Sequence, residues 1–213
     1  MVIAIFGGAF DPVHRDHLRM AQAALDFGYC EQVWMLPSPD RWDKHPRTSA
    51  ALRLQMLSVA MVSQSNHIIP CDFELKMGEY RGSYFLLQAL VLHYPQHEFR
   101  LLIGADTVPF IPEWRDATTF NGSNHNGEQL LQEFSLIVYP RIDCVQPSVH
   151  DFIDKKYRQL FNFCDAHERL LVEPGVDASH LLRSRLWNDP EASKELPAGV
   201  WELIQAERLY TNT

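Results

Sequence analysis

Residues 2–17 of this chain read VIAIFGGAFDPVHRDH. The first five are apolar and partly β-branched, and two glycines stop the run, so Val2–Phe6 is predicted to be a buried strand. From about His14 to Phe27 the apolar residues recur with the period of a helix. A strand that leads through a glycine turn into a helix is typical of proteins in which strands and helices alternate.

The rest of the chain continues this alternation. Short apolar runs predict further strands at Gln32–Leu36, Ile68–Ile69, Phe99–Ile103 and Ser135–Tyr139. Helical periodicity predicts helices at about Ala50–Ser63, Tyr84–Tyr94 and Pro197–Tyr210, and the polar stretch Asn121–Gln129 is predicted to be a mobile loop. We therefore predict an α/β fold: a Rossmann-like, mostly parallel sheet with helices on both faces and a C-terminal helical segment.

Length and charge narrow the class of protein. With 213 residues and 46% hydrophobic side chains, the chain is long enough for one packed domain, which we place at residues 1–213. A formal net charge of −8 disfavours general binding to nucleic acid or to acidic lipid. No apolar run approaches the roughly 20 residues of a membrane span, and the first residues do not resemble a signal peptide. We expect a soluble, cytoplasmic protein with no nucleic-acid or membrane partner.

The loop between the first strand and the first helix carries the strongest chemical signal. Glycines let a ligand approach the backbone, and a helix N-terminus attracts anions. His14 and His17 lie three residues apart, so their rings share one face of the first helical turn, which suits a polyphosphate. Read singly, Gly7-Gly8 could be a plain turn, Asp11-Pro12 a helix start, and the histidines a surface pair. A zinc site would need a further ligand, so no metal ligands are assigned.

Taken together, this loop resembles a known signature. Its pattern G-G-x-F-D-P-x-H-x-x-H, from Gly7 to His17, is similar to that of the nicotinate/nicotinamide mononucleotide adenylyltransferases of the nucleotidyltransferase superfamily. Further similarities follow in family order: Lys44, Arg81-Gly82-Ser83-Tyr84, Gly104-Ala105-Asp106, Trp114 and the closing stretch from Leu196 to Tyr210. The second phosphate motif of the family, Ser-Ser-Thr-x-Ile-Arg, is altered here to Ala178-Ser179-His180-Leu181-Leu182-Arg183: Ser179 and Arg183 remain, whereas Ala178 and His180 replace hydroxyl residues.

The resemblance implies a role for each matching residue. It implies catalytic roles for His14, His17, Lys44 and Arg183. It implies ATP binding by Gly7, Gly8, Phe10, His14, His17, Gly104, Asp106, Ser179 and Arg183. It implies a site for the pyridine nucleotide formed by Ala9, Phe10, Lys44, Ser83, Tyr84 and Trp114. The substrates would be ATP, accompanied by Mg²⁺, and a pyridine mononucleotide.

The implied reaction joins the 5′-phosphate of the mononucleotide to the α-phosphorus of ATP and releases pyrophosphate. Its acceptor is a phosphate with a second pKa of about 6, so no general base is needed at neutral pH. Two alternatives stay open: adenylyl or cytidylyl transfer to another phosphorylated acceptor such as phosphopantetheine, and a nucleotide-binding regulator that has lost turnover. The sequence leaves open nicotinate against nicotinamide as the acceptor, and the oligomeric state.

Overall fold

The computed structural model describes residues 1–40, 46–62, 64–114, 126–139 and 179–211. Its strands are β1 (Val2–Gly8), β2 (Gln32–Pro37), β3 (Ile68–Pro70), β4 (Glu98–Gly104) and β5 (Ser135–Tyr139). Its α-helices are α1 (Arg15–Asp26), α2 (Ala50–Met61), α3 (Phe73–Lys76), α4 (Ser83–His93), α5 (Gly127–Glu133), α6 (Ser179–Arg185) and α7 (Val200–Ala206). Short 3-10 helices lie at Val108–Glu113 and Ala192–Glu195.

The five described strands form one parallel sheet in the order β3-β2-β1-β4-β5. The predicted α/β fold with a parallel sheet is therefore confirmed. Each predicted strand is present, and β1 and β2 continue past the predicted ends, to Gly8 and Pro37.

Helices cover both faces of the sheet, as predicted. Along β1, Ala4 and Phe6 face one core, whereas Ile3 and Ile5 face the other. The first core packs α1, α2, α6 and α7 against the sheet, and the second packs α4, α5 and the first 3-10 helix. Apolar side chains therefore lie on both sides of the sheet, which is why its strands read as unbroken apolar runs.

Two larger differences from prediction concern helices. The expected loop over Asn121–Gln129 is wrong at its C-terminal end, because α5 begins at Gly127 and buries Leu130 and Leu131; residues 121–125 lie outside the described part. The predicted final helix is also shorter than Pro197–Tyr210. It begins after Gly199, at φ +79°, and ends at Ala206, and the chain then turns through positive φ at Arg208 and Tyr210.

Within the described ranges, no helix is long and apolar enough to cross a membrane.

Candidate active site

The sheet opens between β1 and β4. These two strands pair from Val2↔Glu98 to Ile5↔Leu101. Beyond that point β1 stays paired with β2 as far as Gly8↔Pro37, and β4 with β5 as far as Gly104↔Tyr139. Strand order also reverses direction between β1 and β4, and in open α/β sheets ligands bind in the crevice beyond the strand ends at such a switch point.

Gly7 and Gly8, at the end of β1, have different surroundings, and each lacks a side chain for a different structural reason. A Cβ built on Gly7 meets no atom within 4 Å, so this exposed backbone borders open space. A Cβ on Gly8 would lie 3.0 Å from the ring of Phe10. That ring is buried, because Phe10 takes a positive φ of 50° and packs edge-on against Phe6 at 5.3 Å. The chain thus folds back under Gly8 and leaves the outer side of Gly7 open to a ligand.

His14 and His17 lie together at the start of α1. The His14 backbone N–H donates to Nδ1 of His17 at 3.2 Å, and the ring centroids lie 3.7 Å apart. Since Nδ1 of His17 accepts this hydrogen bond, the neutral ring carries its proton on Nε2. That N–H lies at the start of α1, where the backbone N–H groups and the dipole of a helix favour an anion.

Asp11 is the buried centre of the loop. Its side chain is only 2% exposed and accepts three hydrogen bonds of 2.6 Å each: from the Arg47 backbone N–H, the Thr48 hydroxyl and the Tyr210 hydroxyl. A buried carboxylate is costly without such donors. The loop is therefore fastened both to the start of α2 and to the chain beyond α7.

The altered second phosphate motif packs directly on the first. Ser179 donates from Oγ to the Pro12 carbonyl at 3.2 Å. Arg183 donates to the Asp11 carbonyl, and its Nη1 lies 3.7 Å from Oδ2 of the Asp11 carboxylate. The two stretches are more than 160 residues apart in sequence, and the structure brings them together at the β1–α1 loop.

The facing wall of the crevice is the end of β4. Gly104 is half-buried and Asp106 is exposed, whereas Ala105 is buried and donates its backbone N–H to the Tyr139 carbonyl at 2.8 Å. This hydrogen bond fixes the turn after β4 beside the end of β5. Asp106 thus stands on the edge of the sheet to which the crevice opens.

Of the three aromatic residues predicted for the pyridine site, Phe10 lies in the first core, Tyr84 is buried in the second, and Trp114 packs against the second. Trp114 follows the 3-10 helix, is half-buried, and accepts at its carbonyl from the backbone N–H groups of Asn126 (2.9 Å) and Gly127 (3.2 Å). Tyr84 is 9% exposed; its hydroxyl donates to Glu133 at 2.9 Å and accepts from Gln88 at 2.7 Å. Burial, with Glu133 next, raises the pKa of this phenol. Helix α5 thus holds Trp114 at one end and Tyr84 at the other.

The remaining predicted residues divide into two groups. Ser83 is the first residue of α4 and is half-buried. The carbonyl of Ala9 accepts a hydrogen bond from Nη1 of Arg53 at 2.9 Å. Lys44 and Ala178 lie outside the described residues. The structure therefore joins the two elements predicted to bind phosphate around Asp11 and sets Tyr84 and Trp114 on the other face of the sheet.

Sequence reasoning missed three residues that support this site: Thr48, Arg53 and Tyr210. Arg53 is completely buried and donates to the carbonyls of Ala9 and Thr48 and to the Asp40 carboxylate. A signal existed for Arg53, because it falls on the buried face of α2 with Met56, Leu57 and Ala60. An arginine in such a stripe is rare unless it is paired.

Comparison with known proteins gives consistent similarities. Residues 5–169 match the model of the cytidylyltransferase-like family. A probable nicotinate-nucleotide adenylyltransferase of Shouchella clausii is 36% identical over 98% of this chain and 96% of its own. One of Flavobacterium johnsoniae is 28% identical over 99% of both. The fold is similar to Plasmodium falciparum nicotinic acid mononucleotide adenylyltransferase complexed with NaAD, with a TM-score of 0.75, 20% identity, and coverage of 100% and 98%.

Proposed function

Because this chain belongs to the cytidylyltransferase-like family, we propose that it is a nicotinate-nucleotide adenylyltransferase of NAD biosynthesis. It joins nicotinate mononucleotide to the AMP part of ATP and releases pyrophosphate. One observation of the site supports this most: the β1–α1 loop with His14 and His17 and the helix with Ser179 and Arg183 meet at the switch point of the sheet. We propose the nicotinate form of the acceptor over the nicotinamide form because the similar proteins are named nicotinate-nucleotide adenylyltransferases.

In this proposal the protein aligns two anions and neutralises charge, and it supplies no covalent nucleophile. The acceptor phosphate is already largely dianionic at neutral pH. The proton on Nε2 of His17 and the N–H groups at the start of α1 bind the triphosphate where negative charge grows on the leaving pyrophosphate. Arg183 adds a positive charge beside the same loop. We propose that Lys44, which is not among the described residues, contributes a further positive charge to ATP binding.

The metal belongs to the nucleotide in this proposal. Among the residues that the structure describes, no group of three or more His, Cys, Asp or Glu side chains is placed to hold a metal ion. Mg²⁺ commonly keeps several waters and is bound through substrate phosphates with few protein ligands, which fits a loop rich in donors. Mg²⁺ on ATP would neutralise part of the triphosphate charge.

The pyridine part of the acceptor is assigned to the side of the crevice near Trp114. A flat ring gains about 0.5–1.5 kcal/mol from an aromatic partner beyond the area it buries. Trp114 is half-buried and retains an accessible surface, whereas Tyr84 is almost enclosed by α5 and the second core. We therefore propose that Trp114 stacks on the pyridine, that Tyr84 supports the same site from the second core, and that Asp106 binds the ATP ribose.

The deciding experiment measures pyrophosphate release from Mg-ATP with nicotinate mononucleotide, nicotinamide mononucleotide or phosphopantetheine, with chromatographic identification of the product. We expect the nicotinate dinucleotide as the main product. Burial of a carboxylate without a partner is costly, so the two pyridine substrates should differ clearly in rate. A product from phosphopantetheine alone would favour the other transferases, and ATP binding without any product would favour a regulator.

A further inference from the structure

Tyr210 contacts the predicted active-site loop across almost the whole sequence. Its hydroxyl donates to Oδ1 of Asp11 at 2.6 Å, and the two residues are 199 positions apart in the sequence. Both side chains are buried, at 7% and 2% exposure. A hydrogen bond of this length to a carboxylate is charge-assisted and among the stronger ones in proteins.

The backbone after α7 is arranged to deliver this phenol. Tyr210 has a φ of +59°, in a region that bulky side chains rarely adopt. The preceding residue is held on both sides: Leu209 donates its N–H to the Ile204 carbonyl at 2.9 Å, and its own carbonyl accepts from Nε1 of Trp187 at 2.8 Å. The uncommon backbone conformation is thus fixed by neighbouring hydrogen bonds, and it turns the ring inward.

The hydrogen bonds on Asp11 affect how Arg183 meets the same carboxylate. Three neutral donors, from Arg47, Thr48 and Tyr210, occupy most of the roughly four acceptor positions of a carboxylate. Nη1 of Arg183 lies 3.7 Å from Oδ2, which is longer than the 2.7–2.9 Å of a tight ion pair. Burial also raises the pKa of Tyr210, so the phenol remains a donor throughout the working pH range.

We propose that Tyr210 is a positioning residue for ATP binding. Its hydroxyl, together with that of Thr48, saturates Oδ1 of Asp11 and so prevents the carboxylate from turning onto Arg183. The guanidinium then keeps its orientation beside the phosphate loop and its attraction for the triphosphate. This inference rests on the proposed function only in that ATP phosphates bind at this loop.

The test measures the dissociation constant of Mg-ATP by titration calorimetry, so it needs no turnover. Tyr210→Phe removes only the hydroxyl, and Thr48→Val removes the other donor to the same oxygen. Each is expected to weaken Mg-ATP binding about three- to tenfold, the range of one well-made hydrogen bond. Thr48→Ser keeps a donor and should restore the wild-type constant. In steady-state assays the KM for ATP should rise while the KM for the mononucleotide stays within twofold.

A matched control makes the same chemical change elsewhere. Tyr94→Phe alters a tyrosine that packs against Trp34 at the outer side of the second core, and its ATP constant should not change. Denaturant unfolding of all variants distinguishes a loss of folding stability from a loss of ATP affinity. If Tyr210→Phe lowers the free energy of unfolding but leaves ATP binding unchanged, the proposal is overturned. Absence of ATP binding in the wild type would overturn it as well. ATP binding without dinucleotide synthesis would instead refute the proposed function, and the effect of Tyr210→Phe on ATP binding could still be measured.

Discussion

At the scale of single residues, the hydrogen bond between the His14 backbone and Nδ1 of His17 determines the side of the ring that carries the proton. With Nδ1 occupied as an acceptor, the neutral ring carries its proton on Nε2, the donor that we propose for the triphosphate. The packing of Phe10 against His17, with centroids 5.0 Å apart, fixes the plane of the ring. A preorganised donor of this kind has its largest effect in the transition state, when charge develops on phosphoryl oxygens.

His17→Ala should therefore reduce turnover about a hundredfold, which corresponds to roughly 3 kcal/mol of transition-state stabilisation. Steady-state kinetics with saturating substrates measure this loss, and circular dichroism checks that the fold is retained. His93→Ala, at the exposed end of α4, is the control and should leave turnover unchanged. Full turnover in His17→Ala would remove His17 from the catalytic assignment.

Gly7 gives a second prediction at this scale. A methyl group at Gly7 meets no protein atom within 4 Å, so Gly7→Ala should change the free energy of unfolding by less than about 0.5 kcal/mol. The same methyl group would enter the space that we assign to ATP, so the dissociation constant for Mg-ATP should rise at least roughly tenfold. Calorimetry and urea unfolding on the same preparation measure both quantities. Unchanged ATP binding would show that the nucleotide does not approach this backbone.

The residues of the β1–α1 loop could be predicted from local sequence, because the glycines, Asp11 and both histidines fall within eleven consecutive positions. The residues that hydrogen-bond to Asp11 from elsewhere in the chain could not be predicted in this way. Thr48 and Tyr210 reach Asp11 across 37 and 199 residues, and nothing in either neighbourhood marks a hydroxyl as a donor to a distant carboxylate. Such contacts depend on how the finished fold brings distant segments together.

At the scale of elements, α5 is one of the short helices that the sequence did not predict. It has seven residues, fewer than the two or three turns over which a helical period becomes recognisable, and polar residues with a glycine precede and begin it. Its identity as a helix comes from packing: Leu130 and Leu131 are buried, and Gly127 lies directly against the backbone of Ile111. The longer strands and helices were predictable because each is a clear apolar run or period bounded by glycine, proline or polar residues.

The contact at the start of α5 predicts a specific cost for one methyl group. A Cβ on Gly127 would overlap the Ile111 carbonyl oxygen, so Gly127→Ala should destabilise the protein by about 1–3 kcal/mol, the usual range for overpacking. The overlap also pushes on the 3-10 helix that leads to Trp114, so the KM for the pyridine mononucleotide should rise more than the KM for ATP. Urea unfolding and steady-state kinetics measure the two effects. Gly7→Ala is the matched control for stability, and equal stability of the two variants would contradict the packing argument.

At the scale of the whole molecule, the opening between β1 and β4 divides the carboxyl edge of the sheet into two walls. One wall is β1 with its loop, fastened to α2, α6 and Tyr210 through Asp11, and the other is the end of β4 with Asp106. A nucleotide in the crevice would contact both walls, and it would bind the folded protein but not the unfolded chain. Ligand binding and folding stability are then linked by mass action.

Mg-ATP at a hundred times its dissociation constant should accordingly stabilise the fold by about 2.7 kcal/mol. For a protein of 213 residues, 1 kcal/mol shifts the midpoint of thermal unfolding by roughly 2–4 °C, so a rise of about 5–11 °C is expected. Differential scanning calorimetry measures it, with Mg-CTP at the same concentration as the comparison. The proposed adenylyl transfer requires the larger rise with Mg-ATP, and nicotinate mononucleotide should add to it because its site lies on the Trp114 side. An equal or larger rise with Mg-CTP would assign the crevice to a cytidylyl donor, since both nucleotides offer the same triphosphate to His17 and Arg183 and differ only in the base.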